Sequence, residues 1–415
     1  MKKSINQILD NLAYKKFYFL PLLITFSFIL RLVATYFVRD TGIENEWGVL
    51  LDNLSQHNSY SFFSFNGKLV PSVLLPPMYA FFIYFIKIIT SFIRLDLLYS
   101  IIFMQIVMST YAVYIFYEIN QNFFSNKLSF INSFIFSIIP LNIYTCGQTS
   151  SATIQLLLSL IFLKFFFLII KKQTKKDVII FAAVSGLLIL TRGEFVIIFV
   201  LTLLFIFLGK KINITNSIKI VIIVFLVISP YVIRNYIHFN QVIIVKSLGF
   251  NLWKGNNQLS QVAGYEKFTI DEFENLNYKV NNIEKNKYYE INLDNIFLDE
   301  AINNLQKNPI RYIKLFFKKL SSFYFIDLES SYPNYYNFFH IFPVVILSLL
   351  SFPSLIVFFR NNKFENKYLG LYFFLNLVIF SIFFILPRYK IVILPVQIIL
   401  AGYTLNYVIK KIRKS

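Results

Sequence analysis

The sequence predicts an all-α polytopic membrane protein of about ten transmembrane helices, and three observations carry that reading. Hydrophobic residues make up 57% of the 415, aromatic residues 19% and charged residues only 15%. Soluble chains run at about 45–50% apolar and about 25% charged. The mean hydropathy is +0.61. The apolar residues gather into segments of span length, divided by short polar joints. Those joints alternate between lysine-rich and lysine-poor, the pattern of loops that lie on opposite sides of a bilayer.

In chain order, Lys2, Lys3, Lys15 and Lys16 precede an apolar stretch opening at about Phe17. It lacks a small-residue cleavage site and so reads as an uncleaved first span, 17–38. An outer segment follows from Arg39 to about Asp96. It carries acids in RDTGIENEWGVLLDNL, then Pro71, Pro76 and Pro77, then the apolar run MYAFFIYFIKIITSFIRLD, interrupted by Lys87 and Arg94. Counting that run as a span would reverse every later joint and put the lysine clusters outside. It is therefore read as a helix lying in the outer interface. Spans are expected at 97–117, 128–145, 152–170, 178–191, 194–208 and 217–233. A second outer segment, 234–337, is near neutral and ends in an amphipathic stretch. The last spans are expected at 338–359, 368–386 and 391–409. The chain thus divides into an N-terminal transmembrane catalytic module (1–233, including the outer loop 39–96), an outer loop region (234–337) and C-terminal transmembrane helices (338–415).

With the N-terminus inside, the inner joints hold Lys171, Lys172, Lys175 and Lys176, then Lys210 and Lys211, then Arg360 and Lys363, and finally the C-terminal basic cluster. The C-terminus is then inside as well. The net charge of +19 is mostly lysine facing an anionic leaflet, so no nucleic-acid partner is implied. One cysteine, Cys146, excludes an intramolecular disulfide. His57, His238 and His340 lie far apart without metal-ligand spacing, so no metal is indicated, although carboxylates could still bind a divalent ion. There is no Walker motif and no Rossmann fingerprint, which disfavours soluble nucleotide donors.

Basic residues stand at or just beyond the outer ends of four spans: Arg31 and Arg39, Arg192, Arg234, and Arg388 with Lys390. Arginine suits phosphate because its planar fork makes paired charge-assisted hydrogen bonds. The competing reading is a basic side chain that simply reaches water from a span end. Arg192 and Arg388 sit at hairpin tips on the side where positive charge is disfavoured, and an ionisable residue there marks a functional site by default. In the first outer loop Glu44 and Glu46 could present a carboxylate as general base toward an acceptor hydroxyl. The alternative there is a solvated acidic loop.

Taken together, the acids followed by an aromatic (Glu44, Glu46, Trp47), the Pro-Pro-x-Tyr element (Pro76, Pro77, Tyr79), Pro140, Arg192, the stretch PYVIRNYIHFNQVIIVKSLGFNLWKGNN and the closing PRYKIVILP resemble the GT-C membrane glycosyltransferases. The branch most similar includes the bacterial protein O-mannosyltransferases and the lipid A aminoarabinose transferases. The resemblance implies a GT-C type fold in the bacterial inner membrane and a sugar donor carried on a polyprenyl phosphate. It also implies an acceptor hydroxyl on a lipid, glycan or protein, and inverting transfer on the periplasmic face. By motif position it places the catalytic base on Glu44 or Glu46. Around the donor phosphate it places Arg192, Arg234, Arg388, Tyr389 and Lys390, and in the substrate cleft Tyr79, Lys246, Asn251, Trp253 and Asn256. Family members usually carry a second acid after the Pro140-type proline, whereas this chain reads CGQTSSATIQ there.

A polymerase or ligase of lipid-linked surface glycans would also have many spans and outer arginines, but such proteins generally lack acids directly after span one. A transporter or flippase is disfavoured by the low glycine content, 12 in 415 residues, since alternating access relies on broken helices rich in Gly and Pro.

Overall fold

The computed structural model describes residues 19–43, 46–265, 270–331, 335–360 and 363–414. Glu44 lies outside the described residues. Helix α1 (Phe19–Val38) leads into a loop-rich segment with α2 (Glu46–His57) and a hairpin of β1 (Ser61–Phe65) and β2 (Lys68–Pro71). Asn66 and Gly67, at φ of 50° and 73°, make the two-residue turn that an Asn-Gly pair favours because both tolerate the left-handed region. Pro77 then opens α3 (Pro77–Ile93), where its missing N–H costs nothing.

The bundle continues with α4 (Leu97–Asn120), capped by Asp96, whose carboxylate accepts from the Tyr99 N–H at 2.8 Å. Next come α5 (Asn126–Ile138) and α6 (Pro140–Tyr144), which runs into a 3-10 turn at Thr145–Gly147. Pro140 cannot donate to the preceding turn, and the chain bends there by 57°. Then follow α7 (Ala152–Ile169), α8 (Lys175–Thr191), α9 (Phe195–Leu208) and α10 (Ile214–Phe239).

The long segment after α10 is folded. It contains α11 (Leu248–Gly255), α12 (Glu274–Asn281), α13 (Tyr289–Lys307) and α14 (Pro309–Tyr324), and α11–α13 close over their own small core of Trp253, Tyr265, Leu276, Phe297 and Ala301. The chain ends with α15 (Phe338–Arg360), α16 (Phe364–Ile382), a 3-10 turn at Pro387–Val392 and α17 (Leu394–Lys414).

A helix therefore occupies each expected span, the third one as a bent pair. Among the described residues α1, α4, α7, α10 and α15 are long and apolar enough to cross a membrane alone, and the bent pair makes a sixth. The chain is an all-α polytopic membrane protein. Helix α7 is the most enclosed, packed between α4 and α8, while α10 turns Ile218, Ile222, Phe225 and Leu226 outward. Polar ties cross the bundle, those of Arg31 and Lys164 among them. Arg31, fully buried in α1, donates to Ser109 Oγ at 2.8 Å on α4 and to the Ser137 carbonyl at 3.2 Å on α5. Lys164 of α7 pairs with Glu118 of α4 at 2.6 Å. Both large segments, 39–76 and 240–337, emerge at one end of the bundle, called here the large-loop end.

Candidate active site

Two side-chain clusters form at the large-loop end, and each joins residues far apart in sequence. The first begins where α8 stops. Arg192 caps α8, its N–H bonding to the Leu188 carbonyl at 2.8 Å, and its side chain turns inward. The guanidinium lies 4.8 Å from the Tyr389 ring centroid and 3.5 Å from Glu194 Oε1. Its Nε is buried without a partner among the described residues. Tyr389 is held by the Pro387–Val392 turn and packs on Phe380 and Phe384. Arg388 is exposed, with its guanidinium 5.9 Å from the same ring. The structure thus brings Arg192, Arg388 and Tyr389 together, one of the groupings expected from sequence. Lys390 turns the other way. It is buried, its ammonium donates to the Phe325 carbonyl, and burial pushes its pKa down to about 7.

The second cluster is built by the first loop. Asp40 Oδ2 accepts from Thr149 N at 2.7 Å and Thr149 Oγ1 at 2.8 Å, while the Asp40 N–H donates to the Gly147 carbonyl. Gln105 of α4 holds the same second loop by donating to the carbonyls of Cys146 and Gln148. Tyr79, buried in α3, donates to Gln105 Oε1 and meets Trp47 edge-on at 5.0 Å. That contact seats the first turn of α2, where Glu46 is exposed. Asp40 was not singled out from the sequence, although its position immediately after span one is the signal that would have found it. The two clusters are neighbours, since the Pro387–Val392 turn packs against α6 and α7 and the Thr145–Gly147 turn packs against α7.

The other expected residues lie in the seams that bind the large segments together. Arg234 donates to the carbonyls of Ser72 at 2.7 Å and Tyr60 at 2.8 Å, clamping the hairpin to α10. Beside it is a cavity of about 560 Å³ lined by Tyr60, Pro77, Phe81, Pro230, Tyr231 and His238. Glu290, which sequence reasoning missed, is buried in α13. Its Oε2 accepts from Ser72 Oγ, Val73 N and Leu74 N at 3.0, 2.6 and 2.9 Å. Burial raises its pKa, while those donors and Arg234 oppose the rise. Lys246 donates its N–H to the Val73 carbonyl and stands 3.8 Å from the buried Asp294. Trp253 is enclosed among Phe250, Tyr265, Phe273 and Phe297. Asn251 donates to Ser247 Oγ at 3.4 Å. Asn256 donates to the Leu252 and Ile382 carbonyls and accepts from Lys319, which also donates to the Gly255 and Phe383 carbonyls. Among the described residues no three His, Cys, Asp or Glu side chains gather as a metal set.

A family model described as dolichyl-phosphate-mannose-protein mannosyltransferase matches residues 75–233. In three dimensions the chain is similar to the Archaeoglobus fulgidus oligosaccharyltransferase, solved tethered to an acceptor peptide, with a TM-score of 0.56 at 11% identity. It is similar also to ArnT from Cupriavidus metallidurans bound to undecaprenyl phosphate, with a TM-score of 0.54 at 11% identity. The fold is that of the GT-C membrane glycosyltransferases. The matches cover 96% and 94% of this chain but 50% and 60% of those proteins, so it spans about half to three-fifths of their length. No curated protein matches the chain in sequence.

Proposed function

We propose that the chain is an integral membrane glycosyltransferase that moves a sugar from a polyprenyl-phosphate donor to a hydroxyl acceptor on a lipid, glycan or protein. The observation that carries this is the pairing of the two clusters at one end of a GT-C bundle. A carboxylate-bearing loop is fixed against α4 and the second loop, and an arginine–tyrosine–arginine group stands beside it. The bond from the anomeric carbon to the phosphate oxygen breaks, and the phosphate keeps the electron pair. Arg192 and Arg388 stabilise that charge where water is partly excluded. A first-loop carboxylate, Glu44 or Glu46, takes the proton of the acceptor hydroxyl as its oxygen bonds to the anomeric carbon from the opposite face, with inversion. Asp40, held by Thr149, fixes the loop that presents that carboxylate. The similar ArnT structure holds undecaprenyl phosphate and the similar oligosaccharyltransferase an acceptor peptide, and the donor class proposed here matches the first. The side is the periplasmic face of a bacterial inner membrane, with both termini cytoplasmic, in keeping with the lysine distribution.

The test is release of labelled sugar from polyprenyl-phosphate donors by the purified protein in detergent, with Glu44→Gln, Glu46→Gln and Arg388→Ala beside it. Turnover by the parent with severe loss in one glutamate variant is the expected result. Indifference to every monophosphate donor, with consumption of a diphosphate-linked oligosaccharide, overturns it.

A further inference from the structure

Helix α14 takes no part in either cluster, yet its surface is divided with unusual regularity. At about 100° per residue, Tyr312, Leu315, Lys319, Ser322 and Phe323 share one side, and all are buried against the protein. On the far side Ile310, Ile313 and Phe317 form an apolar sector, 67%, 56% and 61% exposed. Directly beside that sector run Lys314, Lys318 and Arg311, so the helix has a protein face, an apolar face and a basic face in rotation.

Its depth is fixed by neighbours. Tyr324 continues the apolar sector into the bundle, its hydroxyl 2.6 Å from Ser351 Oγ and its ring 6.3 Å from Phe352, both midway along the span α15. Phe323 meets Phe380, within a turn of the large-loop end of α16, at 5.4 Å. The C-terminal end of α14 is therefore docked between the spans α15 and α16, and its N-terminal end points toward the large segments. Ile310, Ile313 and Phe317 lie on the turns that lead into this docked end and face away from the protein.

We propose that α14 is a lipid-binding surface. Ile310, Ile313 and Phe317 enter the acyl boundary of the leaflet at the large-loop end, and the basic sector above them engages the phosphates of anionic phospholipids. An amphipathic helix with cations flanking an apolar stripe binds such an interface by buried apolar area plus charge attraction. Arg311 gives donors to the Gln258 and Ser260 carbonyls, and Lys318 pairs with Glu329 at 2.5 Å. Lys314 makes no bond among the described residues and is the side chain placed to meet a headgroup. This surface is independent of the sugar-transfer reading.

The experiment uses the full chain with Cys146→Ser, reconstituted in nanodiscs and spin-labelled at Phe317→Cys. Phe352→Cys, 54% exposed on α15, is the lipid reference, and Tyr278→Cys, 72% exposed on α12, is the water reference. Collision with oxygen is expected to exceed collision with a nickel chelate several-fold at 317, as at 352. Nickel accessibility at 317 equal to that at 278 overturns the lipid surface. Replacing part of a phosphatidylcholine disc with phosphatidylglycerol is expected to deepen the label at 317, and Lys314→Gln with Lys318→Gln to abolish the deepening. An unchanged depth in the parent overturns the phosphate contact. All substituted side chains but Cys146 are exposed, and an unchanged melting transition confirms that each variant folds.

Discussion

Arg192 is more than a positive charge, because its planar group lies against the Tyr389 ring and beside Glu194. A lysine there keeps the charge but loses both the fork and the stacking surface. Arg192→Lys is expected to raise the donor KM about tenfold, equivalent to about 1.4 kcal/mol, with a smaller change in acceptor KM. Equal changes for both substrates would remove the phosphate role. Lys319 offers a test without substrate. It is buried with only carbonyl and amide partners, and burial pushes its pKa down to about 7. An unfolded lysine keeps its proton to about 10.4. Between those values the unfolded state binds more protons, so stability rises with pH, and below about 7 the full cost of the buried charge is carried. The melting temperature should climb from about pH 7 to pH 9 and climb less steeply in Lys319→Met. Part of the slope should remain, because Lys390 titrates in the same range. Near pH 9 the Met variant should melt lower, since the Gly255 and Phe383 carbonyls lose their donor, and the difference should shrink toward pH 7, where the parent carries the buried charge. An unchanged slope in Lys319→Met would mean that its ammonium is solvated.

Among the elements, α13 is the strut of the large-loop end. One turn presents Tyr289 to the rings of Phe63 and Phe65, Glu290 to the loop at 72–74, and Ile291 to Val73 and Phe239. The next turn accepts the Phe250 N–H on Asp294. Glu290→Ala would strand the buried Val73 N–H and the Ser72 hydroxyl and leave the Leu74 N–H only its 3.3 Å bond to Ser72 Oγ, costing about 2–3 kcal/mol. It is expected to lower the melting temperature by several degrees and to speed trypsin cleavage after Lys68 in β2. Glu290→Gln, which keeps an acceptor oxygen, should lie close to the parent, and protection of Lys68 in the Ala variant would show the strut to be redundant. This element also shows where sequence reading stops. The apolar runs located a helix at every expected span, five of them and one bent pair long and apolar enough to cross a membrane among the described residues, because a run of about 20 apolar residues is a local property. The Asn66–Gly67 turn, not singled out from the sequence, is local too and carries a hairpin signal. Glu290 was not readable, because its partners lie more than two hundred positions away and a single glutamate in a polar segment looks solvated. Arg234 was flagged as a charge by the same local logic, and only the fold reveals the backbone carbonyls of Tyr60 and Ser72 that it holds. The grouping of Arg192 with Arg388 and Tyr389 was expected from the motif resemblance, but the stacking of the guanidinium 4.8 Å from the Tyr389 ring centroid had to await the packing of the Pro387–Val392 turn.

For the whole molecule, the decisive quantity is how its charge is divided between the two ends. The net +19 is concentrated in the joints opposite the large segments, including Lys171, Lys172, Lys175 and Lys176 between α7 and α8. The large segments carry nearly balanced charge and the exposed parts of both clusters. A donor phosphate would meet the arginines only from the large-loop side, so orientation and function are linked. If the positive-inside rule sets the insertion, the site faces away from the cytoplasm, where no nucleotide donor is available and a lipid-linked sugar is required. Cys146 is fully buried and should be silent toward a membrane-impermeant maleimide, so single reporters can be added directly. Tyr278→Cys, on the exposed surface of α12, is expected to react in intact spheroplasts. Lys176→Cys, at the start of α8, is expected to react only after lysis. The reverse pattern would turn the arginine cluster toward the cytoplasm, remove the need for a lipid carrier and leave a GT-C bundle fed by a soluble donor, for which the chain has no phosphate-binding glycine loop.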